Sequence, residues 1–337
     1  MSNIVETMPS PDLFFETVFA FERTAALKAA VELDVFTALA DGPRSADAIA
    51  TARGAAERGI RILCNYLTSL GFLEKVDDAF SLTPVSAAFL STKSPAYLGG
   101  TLAFLASDDI VRNFDQLTET VRRGTISPSA NNTVSQENPA WIKFAKAMAP
   151  MMMPNAMAIA EILGTSGETR VLDIAAGHGM FGIMLAQRNP EAEIVAVDWP
   201  GVLAVAANNA VQMGVGDRYR TIAGDAFTVD FGGGFDVALV TNFLHHFDFD
   251  TNVAFMRKVA AALKPGGRAA VLEFVPAADA VSPPIPAQFG LTMLAGTPAG
   301  EVYSFGQLQD MLARAGFSQI ASHPTPTPET IVIGTKK

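Results

Sequence analysis

The chain has 337 residues, of which 49% are apolar and 17% charged, enough to bury a large core with a smaller domain beside it. Its net charge of −10 excludes the clustered basic surface that nucleic-acid binding requires, and a single cysteine, Cys64, excludes an internal disulfide framework and fits a reducing, cytoplasmic setting. No apolar run reaches the roughly 20 residues of a membrane span, and Met1–Glu6 carries no basic segment leading into an apolar one.

Three segments are expected: 1–100, 101–165 and 166–337. The first is mainly helical. Phe19, Ala25, Leu27, Ala30 and Val31 follow helical spacing, and Ser45 after the Asp41-Gly42-Pro43 turn is placed to cap a short helix to Ala52. Ile60, Ile62, Leu63, Tyr66, Leu67 and Leu70 mark another helix, closed by Gly71. Phe72–Val76 and Ala79–Leu82, joined across Asp77-Asp78, read as a β-hairpin. Three helices and a hairpin give the winged-helix order. Residues 1–100 carry eight Lys or Arg against twelve Asp or Glu, and the wing tip is acidic, so a dimerisation role is expected in place of DNA binding.

Residues 101–165 read as apolar helices. Trp141, Phe144, Met148 and Met152 form a Met-rich, aromatic wall suited to a flat apolar substrate, since thioethers adapt to ring faces. Ordinary packing between helices is the competing reading of these residues. From Arg170 short apolar runs alternate with helical segments at Val171–Ile174, Ile194–Val197, Tyr219–Ala223, Phe235–Val240 and Ala269–Phe274. This is the pattern of an α/β, doubly wound, Rossmann-like parallel sheet. Pro265-Gly266-Gly267 is expected to end the helix before the fifth strand. Two tail strands, near 316–320 and 330–334, follow with no evident crossover helix.

The first strand ends in Asp173 and turns through Ala175-Ala176-Gly177-His178-Gly179 into a helix. Such a turn presents backbone N–H groups to a nucleotide-like ligand. The string Gly177–Gly182 also fits G-x-G-x-x-G, so a nicotinamide-dependent oxidoreductase is an alternative. A carboxylate at Asp173 suits the ammonium and sulfonium of S-adenosylmethionine (SAM) better than a pyrophosphate. Asp198 ends the second strand, 21 residues after Gly177, where it can accept both ribose hydroxyls. Asp225, in Gly224-Asp225-Ala226-Phe227, follows the third, placed to accept from the adenine amine under apolar cover. Three acids after successive strands favour SAM. After the fourth strand, Thr241-Asn242-Phe243-Leu244-His245-His246 places two histidines at the ligand side of the sheet. A near-neutral imidazole there can take a proton from a hydroxyl as a methyl group arrives, without a metal. Glu273, at the end of the fifth strand, and Glu301, after a Gly/Pro loop, are candidates to orient it. His178 and His323 look incidental.

Together these residues resemble the small-molecule O-methyltransferase family of plant phenolic and bacterial polyketide enzymes. Asp198-Trp199-Pro200 is similar to its Asp-Leu-Pro motif, Gly224-Asp225-Ala226-Phe227 to its Gly-Asp-Met-Phe, and Leu244-His245-His246-Phe247 to its Leu-His-Asp-Trp. The resemblance implies an N-terminal winged-helix dimerisation domain, a SAM-binding Rossmann-like domain, a homodimer and a small hydroxylated acceptor. It places the base at His245 and the two flanking glutamates at Glu273 and Glu301. It assigns cofactor contacts to Asp173, Ala175, Gly177, Gly179, Asp198, Asp225, Ala226 and Phe227, with Thr241 where plant members carry a lysine. Ala175-Ala176-Gly177 replaces a run of three glycines, and Phe247 replaces Trp. Some relatives on this scaffold methylate carbon or nitrogen instead of oxygen.

Overall fold

The computed structural model describes residues 9–127, 132–134 and 138–337, so the N-terminal residues read above for a leader lie outside the described residues. The chain divides into two compact units, residues 1–102 and 103–337. The residues expected as a separate connecting segment, 101–165, cluster almost entirely with the sheet.

The first unit contains α1 (Asp12–Val18), α2 (Ala20–Glu32), α3 (Val35–Ala38), β1 (Arg44–Ser45), α4 (Ala46–Arg53), α5 (Glu57–Ser69), β2 (Leu73–Val76), β3 (Ala79–Leu82) and α6 (Pro84–Phe89). Ser45 Oγ accepts from the Ala48 N–H at 3.2 Å, the expected cap of α4, worth about 1 kcal/mol. Helix α5 buries Ile60, Cys64 and Leu67 on one face against Phe36, Ile49 and Phe80. The hairpin turns at Asp77, whose φ of +53° gives the left-handed twist such tight turns need. In the three-stranded sheet, β3 lies between β1 and β2.

The second unit begins with α7 (Leu102–Leu105), α8 (Asp108–Asp115), α9 (Leu117–Arg123), α10 (Ala140–Ala147) and α11 (Ala149–Leu163). The sheet region follows: β4 (Thr169–Ile174), α12 (Met180–Arg188), β5 (Ala192–Asp198), α13 (Pro200–Gln212), β6 (Tyr219–Ala223), β7 (Phe235–Thr241), α14 (Phe249–Ala262), β8 (Leu263–Glu273), α15 (Pro284–Gly296), α16 (Phe305–Arg314), β9 (Phe317–Pro324) and β10 (Thr330–Lys336). The seven strands lie in the order β6-β5-β4-β7-β8-β10-β9, with β10 alone running against the others and so antiparallel to both its neighbours.

Side-chain parity divides the core. Val171, Ile194, Leu239, Leu272 and Ile331 face Ile159, Leu163 and Ile183. Their neighbours Leu172, Val195, Val240, Val271 and Val332 face Val253, Met256, Leu308 and Leu312. Both faces are covered, which is why the strands read as continuous apolar runs.

Two details differ from the sequence expectation. The helix α14 ends at Ala262, and Pro265-Gly266-Gly267 instead form an irregularity inside β8, where the register with β7 jumps between Phe235 and Val237. Gly266 takes φ +77° there, so the triplet serves as a bulge. The tail does have a helix before it: α16 carries a complete capping box from Ser304 and Gln307 and packs on β9. Because β10 runs antiparallel, the return to the sheet needs only a short loop.

Candidate active site

The turn after β4 is built by backbone that takes the left-handed region at Ala175 (φ +51°), Gly177 (+56°) and Gly179 (+78°). A Cβ on Gly179 would stand 2.7 Å from Tyr219 Oη and 3.1 Å from Ala206, so only glycine lets the turn sit this low. Gly182 makes room in the same way for Asp173, whose Oδ2 accepts from the Gly182 N–H at 3.1 Å. Asp173 is fully buried beneath the turn, and burial pushes its carboxyl well above the usual range. Its Oδ2 anchors the turn from below, while its Oδ1 is buried without a hydrogen-bond partner among the described residues.

Asp198 bonds the turn directly. Its Oδ2 accepts from the Gly177 N–H at 2.9 Å and its Oδ1 from the Trp199 N–H at 2.7 Å. Burial pushes its carboxyl up to about 6 against the pull of these two donors. Asp225 Oδ1 accepts from the Phe227 N–H at 2.9 Å, which fixes the loop. Ala226 is buried, and Phe227 packs edge-on against Phe247 at 4.8 Å. Thr241 is buried at the end of β7.

The centre of the site is the one-turn helix Leu244–His246. Glu273 Oε1 accepts from three consecutive backbone N–H groups, of Phe243, Leu244 and His245, at 3.2, 2.8 and 3.3 Å. Its other oxygen, Oε2, takes the His245 Nδ1–H at 2.5 Å. One buried carboxylate thus holds both the turn and the ring. Because a carboxylate only accepts, Nδ1 must carry the proton, which leaves Nε2 with its lone pair. The Phe289 ring stands edge-on to this imidazole at 4.7 Å. From the opposite side the Glu301 N–H donates to His245 O at 2.9 Å, an approach that a Cβ on Gly300 would block at 2.4 Å. The Glu301 side chain is exposed and makes no hydrogen bond to the ring. Its link to the base runs through backbone alone.

His246 is accounted for by packing. Its Nδ1 bonds Thr133 Oγ1 at 3.0 Å, Trp141 meets its ring edge-on at 5.3 Å, and burial with His245 beside it holds its pKa well below 6.5. Trp141 Nε1 donates to Thr133 O at 2.8 Å and stands 5.6 Å from Phe144. Phe144 stacks on His178 and lies 3.5 Å from where a Gly177 Cβ would be, so the expected wall borders the glycine turn. His178, read as incidental, is buried in that stack, its Nδ1 accepting from the Met180 N–H at 3.1 Å. Met148 and Met152 are buried in the core cluster against which Phe144 packs.

This chain matches the O-methyltransferase dimerisation domain over residues 15–92 and a methyltransferase domain over residues 171–267. It is 32% identical to the mitomycin biosynthesis 6-O-methyltransferase of Streptomyces lavendulae, over 74% of each chain. The chain belongs to the O-methyltransferase family. It is also 28% identical to the 3-hydroxy-5-methyl-1-naphthoate 3-O-methyltransferase of Streptomyces sahachiroi, over 97% of this chain and 95% of that one. A crystal structure of an O-methyltransferase candidate from Nostoc punctiforme superposes with a TM-score of 0.94 at 45% identity, covering 98% of this chain and 100% of the other.

The cofactor of this methyltransferase is SAM, and the residues present fit it. The half-buried turn at Ala175 and Gly177 carries no bulky side chain, and Asp198 and Asp225 stand at successive strand ends. Among the described residues no group of three or more His, Cys, Asp or Glu is set to hold a metal, and no helix is long and apolar enough to cross a membrane.

Sequence reasoning missed several supports. Asn252 donates to Leu244 O and Phe247 O, and Tyr303 Oη donates to Phe247 O at 2.5 Å. Glu329 also escaped notice, although a lone acid entering the apolar run Thr330–Ile333 is the same signal that marked Asp173.

Asp198 gives a test in pH. Its folded-state value near 6 lies above the ordinary 3.8, so it is ionised at pH 7.5 and becomes protonated as the pH falls through 6. Protonation removes acceptor capacity for ribose hydroxyls. Calorimetry should show SAM affinity level above pH 7 and about tenfold weaker at pH 5, with Asp198→Asn weak and flat across the range.

Proposed function

We propose that His245 is the general base of an O-methylation reaction on a flat, hydroxylated aromatic of the natural-product type. The observation that carries this reading is the Glu273 carboxylate, tied to three backbone N–H groups and to Nδ1, which fixes the tautomer with Nε2 as proton acceptor. A phenol, with a pKa near 10, gives up its proton to such a base as its oxygen acquires the methyl group. When bound, SAM supplies an electrophilic methyl on a positively charged sulfur, so the base need not form a free phenolate. Trp141, Phe144, Met148 and Met152 provide the apolar wall for the ring, and the relatives' names, a naphthoate and a mitomycin methyltransferase, support that class. Glu301 contributes through its backbone bond to the catalytic turn.

The test is incubation with SAM and a panel of phenols, naphthols and polyketide aromatics, reading S-adenosylhomocysteine release and the product by NMR. An aryl methyl ether supports the assignment. Product methylated only at carbon or nitrogen overturns it.

We also propose a homodimer and a cytoplasmic location. Leu13, Phe14 and Phe21 are 76%, 64% and 68% exposed at the start of the dimerisation domain, where a second copy would cover them. Light scattering should give twice the chain mass of 35.6 kDa, and Phe14→Glu with Phe21→Glu should yield the single-chain mass. The lone thiol, Cys64, is buried and pushed up to about 11, which keeps it unreactive.

A further inference from the structure

The reaction assigned above leaves one buried carboxyl unused. Glu329 precedes Thr330, the residue of β10 that pairs in register with Glu273 on β8, so two acids meet at this end of the sheet. Glu329 is 4% exposed. Its Oε2 accepts from the amide of Asn155, a fully buried residue of α11 that also donates to Thr327 Oγ1 at 2.8 Å. Thr325 Oγ1 donates to the Glu329 carbonyl at 2.7 Å, which pins the backbone. The second oxygen, Oε1, is buried without a hydrogen-bond partner among the described residues.

The surroundings tie this group to the reaction centre. Burial pushes the Glu329 carboxyl up to about 7; the Asn242 side chain, close enough to share a hydrogen with the carboxyl though outside ideal hydrogen-bond geometry, opposes the rise, Glu273 adds to it, and His245 and Thr327 pull it down. Asn242 holds the left-handed region (φ +53°), with its amide 3.7 Å from Met152 Sδ on the aromatic-binding wall. An apolar side chain at 329 would continue the face formed by Ile331 and Ile333 and strand no oxygen. A buried acceptor left unpaired is costly, and a donor on a bound acceptor molecule would satisfy this one.

We propose that Glu329, steadied by Asn155 and flanked by Asn242, selects the acceptor by taking a hydrogen bond from a second donor, a hydroxyl or N–H, on the aromatic whose first hydroxyl lies at His245. This rests on the reading of His245 above. A ring with a single hydroxyl leaves Oε1 unpaired, and sites built to bond a substrate donor discriminate strongly against analogues lacking it.

The test compares beta-naphthol with three naphthalenediols, carrying the second hydroxyl on the neighbouring carbon or at either far position of the second ring. The wild-type enzyme should favour at least one diol by about tenfold or more in kcat/KM, chiefly through KM. Glu329→Leu should abolish that preference, costing the favoured diol about tenfold in kcat/KM and beta-naphthol much less, with SAM affinity within about twofold of wild type. Glu329→Gln, which keeps an acceptor oxygen and the Asn155 bond, should retain part of the preference, and it decides the matter should the leucine variant not fold. Equal rates on all four acceptors in the wild type, or an equal loss on all four in the variants, overturns the role of Glu329 and leaves the base assignment standing. Methyl transfer to none of the four removes the proposed function, and the subsite with it.

Discussion

Replacing His245 with alanine should lower kcat by about 10²–10⁴-fold, the usual contribution of a positioned base, while SAM affinity by calorimetry should stay within about twofold. The separation follows from the geometry. The imidazole belongs to the turn after β7 and is bonded to Glu273, whereas the glycine turn and Asp198 belong to the ends of β4 and β5 and have no hydrogen bond to it. The substitution also leaves Glu273 Oε2 buried without its partner, so a fall in melting temperature accompanies the loss, consistent with about 1–3 kcal/mol for an unsatisfied buried acceptor. His245→Gln, which can still donate toward Glu273, should recover much of that stability and none of the turnover. Near-normal turnover in either variant would show that another group takes the proton.

Glu273→Gln is the second large effect, and it separates holding the ring from holding the turn. The amide oxygen can replace Oε1 as acceptor for the Phe243, Leu244 and His245 N–H groups, so the fold persists. The amide nitrogen then faces Nδ1 as a donor and favours the tautomer with the proton on Nε2. The base has lost its lone pair toward the substrate although every atom is near its place. Loss of about 10²–10⁴-fold in kcat is expected, as found where a carboxylate that fixes a catalytic imidazole becomes an amide. Circular dichroism should be unchanged. Glu273→Ala, by contrast, frees three buried N–H groups and should destabilise the protein as well as silence it.

Much of this architecture was legible from residue order because its strands are buried on both sides and its acids sit at strand ends. Asp173, Asp198 and Glu273 stood out as charges closing apolar runs, a pattern that burial makes costly without a partner. The limits have physical causes too. Pro265-Gly266-Gly267 carries the same composition whether it stops a helix or bulges a strand, and only the β7 register distinguishes them. Asp173 could be placed at the right turn, but sequence does not say that Gly182 lets it slip underneath. The partner of His245 could be narrowed to two glutamates. Which of them turns its carboxylate inward depends on Gly300, whose bare backbone brings the Glu301 N–H against His245 and leaves that side chain outside. Tyr303 and Asn155 act across long separations and leave no local trace.

The strand order has a consequence for how the molecule is made. Since β10 lies between β8 and β9, residues 317–324 have no neighbour to zip onto until the following segment has left the ribosome. The five parallel strands can therefore pair without β9, which joins the sheet only through β10 and its Ile331–Ile333 wedge. A released chain cut before Thr330 should leave β8 as an open sheet edge and bind a hydrophobic dye more strongly than the full-length protein.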